Sequence, residues 1–397
     1  MHTFSRLLLS KFHNNLLSFT AVYQKSKFYW LLSCIGFILL MIISANVFIG
    51  NYKIRNQLRL YLPEFIIRYE NSSIFTQQKQ YDETIQILWY AKQPYFEGSV
   101  NLTGCEFSNC KLTENKLLLN TSDAVLFAYR DMYNKVPIKK KGHIWIIVNI
   151  ESPTNDNELS HVWDNKFDWS MTYRRDSEVL LNYMTFKRDV PLVKDYHEIF
   201  KNKTKLVAWA VSNCYSQSQR GEYVQELRKY IDVDIYGQCG KEPCPGKTMP
   251  SCHEVLSQQY KFYLGFENSM CKDYVTEKVF HTFLDNSNAI YVSRGAPNIK
   301  SMLPPKTYID ANTFKSPKEL AKFLIELGSN EAEYISYLKE TDKYHIDNER
   351  NYVRGLCDLC KLLNTYKTQK LSWTGKNFNK WYRENTCIPQ SEIKISQ

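Results

Sequence analysis

Three places in this 397-residue chain carry side chains whose types and spacing could act on a hydroxyl or a diphosphate. The first is Glu151, which directly follows the apolar run IWIIVNI (144–150) and precedes Ser152 and Pro153. A carboxylate presented in a loop at a strand end can serve as a general base; standing alone, it reads sooner as a solvated strand-end glutamate. The second is Arg220, just ahead of a helical pattern and a few residues after a strand ending at Ser212 and Asn213. An arginine there offers a planar fork to a diphosphate, and the helix end adds unpaired N–H groups. Taken singly it is also an ordinary solvated arginine. The third is the segment FYLGFENSMCKDYVTEKVF (262–280). A strand ending in Glu267, Asn268 and Ser269 passes through a short polar loop into a helix predicted from about Thr276, with Glu277 and Lys278 in its first turn. Glu277 suits ribose hydroxyls and Lys278 a phosphate. A lysine in a first turn opposes the helix dipole, so an anion there would give it a partner.

The elements that must position these groups are apolar runs bounded by turn residues. QILWYAK (86–92), DAVLFAYRD (123–131), HIWIIVNIESP (143–153), LVAWAVSN (206–213), VDIYGQCG (233–240), FYLGFENS (262–269) and NAIYVSRG (288–295) read as strands. They are largely continuous rather than alternating, as in a parallel sheet covered on both faces. GEYVQELRKYI (221–231) and TEKVFHTFLDN (276–286) read as helices between them. The pattern occurs before and after about Leu206, which predicts an α/β, doubly wound protein with two Rossmann-like halves and a cleft at the C-terminal ends of the strands.

The formal charge of +10 is spread along the chain without a dense basic block, a poor fit to nucleic acid and compatible with phosphate-bearing ligands. Residues 28–50 form an uncharged apolar run long enough to cross a bilayer, preceded by Arg6, Lys11, Lys25 and Lys27. An uncleaved anchor is expected, against the alternatives of a core helix or a cleaved signal. Lys53, Arg55, Arg59 and Arg68 follow the run, so charge does not orient it. Ten of the 11 cysteines and four glycosylation triplets, at Asn71, Asn101, Asn120 and Asn202, follow it too, which favours a type II topology with the body in an oxidising lumen. A structural disulfide is the preferred reading of Cys357-x-x-Cys360 over a zinc half-site or redox pair, and Cys105 and Cys110 could staple a loop, whereas Cys239, Cys244 and Cys252 flank a Pro/Gly-rich turn. Asp232 and Asp234 form a D-x-D at a strand's start rather than its ligand end, so no metal site is assigned. Tyr173, Arg174, Arg175 and Asp176 could contact substrate or hold a loop.

The 262–280 segment resembles the FENS…DYxTEK signature of the α1,3/4-fucosyltransferases, glycosyltransferase family 10, including invertebrate-type members. WIIVNIESP, FDWSMTYRRDSEV, VAWAVSNCYSQSQRGEYVQEL, VDIYGQCG and YIDANTF are similar to family blocks and stand in the family's order, from about Thr84 to the C-terminal cysteine-rich segment. The loop after the TEK helix, LDNSNAIYVSRGAPNIKSMLPP, departs from the Gly/Val-rich version of vertebrate-type members. The resemblance implies a GT-B fold with two facing Rossmann-like domains. It implies Glu151 as base, Arg220 and Lys278 on the diphosphate, Glu277 on the ribose, and Asn268 and Tyr274 seating guanosine; Ser212 is a further donor-site candidate, and Tyr173 and Arg174 are possible substrate contacts. The expected layout is a cytoplasmic tail (1–27), signal anchor (28–50), stem (51–83), acceptor domain (84–205), GDP-fucose domain (206–365) and tail (366–397). The expected reaction is inverting transfer of L-fucose from GDP-β-L-fucose to the 3-OH of an N-acetylglucosamine in a glycoprotein glycan, at the Golgi membrane. No obligatory metal or cofactor is expected beyond the GDP-fucose donor, with Mn²⁺ stimulation left open; no nucleic acid partner is expected. The CDLC pattern leans toward members that act on the chitobiose core of N-glycans. An inactive, membrane-anchored glycan- or nucleotide-binding protein on the same fold is the alternative.

Overall fold

The computed structural model describes residues 83–388, except 133–134, 184, 189–192, 246–247, 285–286, 347–350 and 367–376. The apolar run 28–50 and Asn71 lie outside the described residues; among those described, no helix is long and apolar enough to cross a membrane.

The first half supplies β1 (Ile85–Ala91), β2 (Cys110–Thr113), β3 (Ala124–Ala128), β4 (Ile144–Asn149), β5 (Trp169–Thr172) and β6 (Val179–Leu180). They form one all-parallel sheet in the order β2-β1-β3-β4-β5-β6. Successive side chains on a strand face opposite sides, and the cores divide accordingly. Ile87, Leu126, Ile146 and Val148 join one cluster, while Leu88, Val125, Phe127, Trp145 and Ile147 join the other. Both faces are dry, which is why these strands read as unbroken apolar runs.

A short strand, β7 (Phe186–Arg188), leads to the second half and its first helix, α1 (Tyr196–Asn202). There β8 (Lys205–Ala210), helix α2 (Arg220–Leu227), β9 (Val233–Tyr236), helix α3 (Met249–Gln259), β10 (Tyr260–Phe266), helix α4 (Glu277–Phe280), β11 (Ile290–Arg294) and β12 (Tyr308–Asp310) alternate. The sheet is again all-parallel, in the order β12-β11-β10-β8-β9. Helix α5 (Pro317–Ser329) starts at Ser316, whose hydroxyl accepts from the Glu319 N–H, and buries Leu320, Leu324 and Leu327 in the core of this sheet.

After helix α6 (Glu331–Thr341) the chain returns. Strand β13 (Tyr344–Ile346) pairs antiparallel with β7. Helix α7 (Asn351–Thr365) lays Leu356, Leu359, Leu362 and Leu363 on the first sheet. Gly355 lets it sit close, because a Cβ there would lie 2.8 Å from the Met171 methyl. Cys357 and Cys360 do not pair with each other, nor Cys105 with Cys110. The bonds are Cys105–Cys357 and Cys110–Cys360, so what reads as a loop staple pins α7 to the first sheet. Three more bonds join Cys214–Cys239, Cys244–Cys252 and Cys271–Cys387. Helix α8 (Phe378–Arg383) then packs Phe378 and Tyr382 into the other face of the first half.

Two helices are shorter than their sequence pattern. The 221–231 pattern is helical as Arg220–Leu227, and the 276–286 pattern gives four α-helical residues followed by a 3₁₀ turn, His281–Phe283.

Candidate active site

In each sheet the strand order reverses at one point, and the crevice beyond the strands' C-terminal ends at that point is where open α/β sheets take ligands. In the second sheet the reversal falls between β8 and β10, the strands that lead to Asn213 and to Glu267-Asn268-Ser269.

Arg220 straddles this point. It is buried, and its two terminal nitrogens donate to the carbonyls of Phe266 (2.8 Å) and Asn213 (2.9 Å), tying the two strand ends together. Its Nε has no partner among the described residues, and burial holds its pKa below the usual arginine value. The residue before it, Gln219, adopts φ +48°, a left-handed backbone that turns the loop into α2. The loop is anchored by Ser218, whose N–H donates to the Asn268 carbonyl and whose hydroxyl donates to that of Glu267. Ser212 is exposed at the crevice edge. The Oδ1 of Asn268 is buried with no partner among the described residues, a second unsatisfied polar atom at the same strand ends.

Lys278 sits among three acceptors: Thr276 Oγ1 at 2.9 Å, Glu277 Oε1 at 2.9 Å and Glu267 Oε2 at 3.3 Å. Burial works against its charge, yet Glu267 and Glu277 hold its pKa above the usual lysine value. Burial likewise opposes ionisation of Glu277, but Lys278 pulls its pKa below the usual range. Glu267 is almost wholly enclosed, and burial pushes its pKa up. Thr276 does not cap the helix with its side chain, as its position suggests; its N–H and hydroxyl both bond to Glu267. Of the two carboxylate partners of Lys278, Glu277 is half-exposed and Glu267 is enclosed.

Glu151 emerges from β4 of the first sheet and faces this cluster. Its Oε1 accepts from the Tyr274 hydroxyl (2.5 Å), the Ser152 N–H (2.9 Å) and Asn155 Nδ2 (3.1 Å). Its Oε2 lies 3.5 Å from Arg130, which in turn holds buried Asp156 at 2.5 Å. Tyr274 comes from the second half, so one hydrogen bond joins the candidate base to the candidate donor segment. Ser269 adds two more, to the hydroxyls of Ser152 (2.6 Å) and Thr154 (2.7 Å). Tyr382 of α8 closes the floor, donating to the Glu151 carbonyl and accepting from Asn149 Nδ2.

Tyr274 is thus engaged with Glu151 and packed edge-on against Tyr173 and Tyr183. Tyr173 is buried beneath it. Arg174 is buried and committed: Nε and one terminal nitrogen bind Asp176, and the other binds the Trp381 carbonyl and Thr386 Oγ1, with the guanidinium 4.1 Å over the Trp381 ring. It fastens the C-terminal segment. Asp234 pairs with Lys205 and Tyr260 at the strand end remote from the crevice. Among the described residues no group of three or more His, Cys, Asp or Glu is arranged to hold a metal ion. Asn101, Asn120 and Asn202 are exposed. Sequence reasoning missed Arg130, Asp156 and Tyr382. The rule that singled out Glu151, a polar residue just past an apolar strand, would also have flagged Arg130 after β3.

Residues 82–184 match the profile of the fucosyltransferase N-terminal domain, and residues 200–381 that of the glycosyltransferase family 10 (fucosyltransferase) C-terminal domain. The chain is 35% identical over 297 residues to the Drosophila melanogaster glycoprotein 3-α-L-fucosyltransferase A, covering 72% of this chain and 57% of that protein. It is 31% identical over 326 residues to the Bos taurus 4-galactosyl-N-acetylglucosaminide 3-α-L-fucosyltransferase 9, covering 77% of this chain and 84% of that one. A crystal structure of an α1,3-fucosyltransferase with GDP-fucose shares the fold at a TM-score of 0.50 and 17% identity, covering 80% of this chain and all of the other. Two all-parallel sheets, a crevice at their switch points and both family domains in order together establish that the chain belongs to glycosyltransferase family 10, the fucosyltransferases.

Proposed function

We propose that the protein is an inverting α1,3-fucosyltransferase of GT-B architecture, which moves L-fucose from GDP-β-L-fucose to the 3-OH of an N-acetylglucosamine in a glycoprotein glycan. The observation that carries this reading is the 2.5 Å contact between Tyr274 and Glu151, which brings a carboxylate of the first half against the segment bearing Glu277 and Lys278. Glu151 takes the proton of the attacking hydroxyl as the oxygen bonds to the anomeric carbon, and the bond to the diphosphate breaks on the opposite side. Lys278 and the free N–H of Arg220 meet the charge that grows on the departing GDP, a role a divalent metal plays elsewhere. Asn268 Oδ1 is the unsatisfied acceptor available to a guanosine N–H, and Glu277, half-exposed beside Lys278, suits the ribose hydroxyls. The names of the Drosophila and bovine relatives support a glycoprotein or lactosamine-type N-acetylglucosamine as acceptor.

The body works in the Golgi lumen, tethered through the apolar run 28–50. Five disulfides and three exposed glycosylation triplets support that placement. The purified protein, given GDP-fucose with lactosamine and core N-glycan acceptors in the presence and absence of EDTA, is expected to transfer fucose with both metal conditions. GDP binding without transfer to any acceptor would instead favour the inactive-binder alternative.

A further inference from the structure

Arg294 ends β11, in the stretch LDNSNAIYVSRGAPNIKSMLPP whose sequence departs from the Gly/Val-rich version. Only 3% of it is exposed, and burial pulls its pKa down to about 10. A charged side chain is costly to bury and is kept where its partners repay that cost. The partners of Arg294 belong to the loop and helix that follow β8, two strands away in the sheet. One terminal nitrogen donates to the Ser218 carbonyl at 2.7 Å, and the guanidinium lies 4.7 Å from the centre of the Tyr223 ring.

The Ser218 carbonyl belongs to the peptide that leads into Gln219, the left-handed residue at the start of α2 (φ +48°). A residue other than glycine keeps that conformation only where its surroundings impose it, and the Gln219 side chain makes no capping bond. The peptide is pinned at both ends instead. Its N–H donates to the Ser216 carbonyl at 3.0 Å, and its oxygen accepts from Arg294. The next residue is Arg220. Tyr223, one turn further along α2, packs edge-on against Phe266 with 5.5 Å between ring centres, and the carbonyl of Phe266 is the one that Arg220 holds. Arg294 thus grips the turn just before Arg220 and the helix turn just after it.

We propose that Arg294 is a positioning residue for the sugar-nucleotide donor, fixing the 218–219 peptide so that Arg220 presents its unpaired Nε to the diphosphate. It acts through Arg220 and touches no substrate itself, and the proposal rests on the reading of Arg220 as a diphosphate contact. The test is a double-mutant cycle on the full-length protein, with GDP affinity read by calorimetry and kcat measured at saturating GDP-fucose. Arg294→Met keeps the length and bulk of the side chain but loses the donor, and it should weaken GDP binding about tenfold while kcat at saturation stays near that of the unaltered protein. Arg294→Lys retains a donor for the same carbonyl and should lose less. In an Arg220→Gln background, Arg294→Met should cost little further affinity, because the group it aims is gone. An additive loss there would overturn the proposal, since Arg294 would then act independently of Arg220. Unchanged GDP affinity in folded Arg294→Met would overturn it too, as would a fall in kcat with affinity intact. Should Arg294→Met fail to fold, as urea titration would show, the cycle is run with Arg294→Lys, where a smaller loss that vanishes in the Arg220→Gln background is expected and an additive one overturns the proposal. No GDP binding by the unaltered protein would sink the donor reading along with it, whereas normal binding by Arg294→Met removes the role of Arg294 alone.

Discussion

His253, on α3, is wholly buried, packs edge-on against Tyr263 at 4.3 Å, and has no partner for either ring nitrogen among the described residues. Burial, aided by neighbouring His281 and Lys203, lowers its pKa from 6.5 to about 3. The folded state therefore keeps His253 neutral where the unfolded chain protonates it. A histidine with a depressed folded pKa costs stability as the pH falls below 6.5, and the loss continues until about pH 3. Each pH unit inside that window corresponds to about 1.4 kcal/mol, so moving from pH 6.5 to 5 removes about 2 kcal/mol. His253→Leu deletes the titration and the two unpaired nitrogens while keeping an apolar side chain of similar size. Urea titrations at pH 7.5, 6 and 5 should give the unaltered protein a steeper acid slope than the variant, with the gap growing to about 2 kcal/mol at pH 5. Parallel slopes would refute the argument and mean that the ring finds a proton acceptor or water in solution.

Glu151→Gln should lower kcat by about 10²–10⁴-fold with GDP affinity intact, read by transfer assay and calorimetry together. Lys278→Ala should raise the Kd for GDP about tenfold or more; because it also strands the enclosed Glu267 carboxylate, thermal melts should show a lower Tm. Tyr274→Phe removes the 2.5 Å bond to Glu151, one of several that join the halves, and about a tenfold loss of kcat is expected, against no loss if Tyr274 merely packs. Arg174→Ala should cost about 2–3 kcal/mol through its bonds to Trp381 and Thr386 and its stacking on Trp381. Arg174→Lys should not rescue it in denaturant titrations, since a single ammonium cannot reproduce the fork.

Much of the frame was legible because both faces of each sheet are covered. That makes β3, β4, β8, β10 and β11 continuous apolar runs, and a strand of that kind announces its own end with the first polar residue. Glu151 and Glu267 to Ser269 were visible for that reason. The arginines were visible too, but their structural roles were not. One, Arg174, fastens the C-terminal segment and the other, Arg220, clamps two strand ends, and the carbonyls that help decide this, of Trp381 for the first and of Phe266 and Asn213 for the second, carry no sequence signature. The 276–286 helix was overread because its apolar spacing continues after the backbone has tightened into a 3₁₀ turn. Cysteine pairing was hidden by distance: Cys105 and Cys110 find partners some 250 residues on.

That return of the chain bears on how the protein can be taken apart. Leu356, Leu359, Leu362 and Leu363 of α7 close a core built largely from residues 85–181, and Tyr382 supports the loop of the candidate base. The half that would choose the acceptor is thus encoded in two stretches separated by the half that would hold the nucleotide. A chimera that exchanges only the first stretch between relatives would set foreign strands against a native closing helix and divide two cysteine pairs between the two sources. Acceptor preference should therefore transplant as a discontinuous cassette, with residues 351–388 travelling alongside the N-terminal sheet.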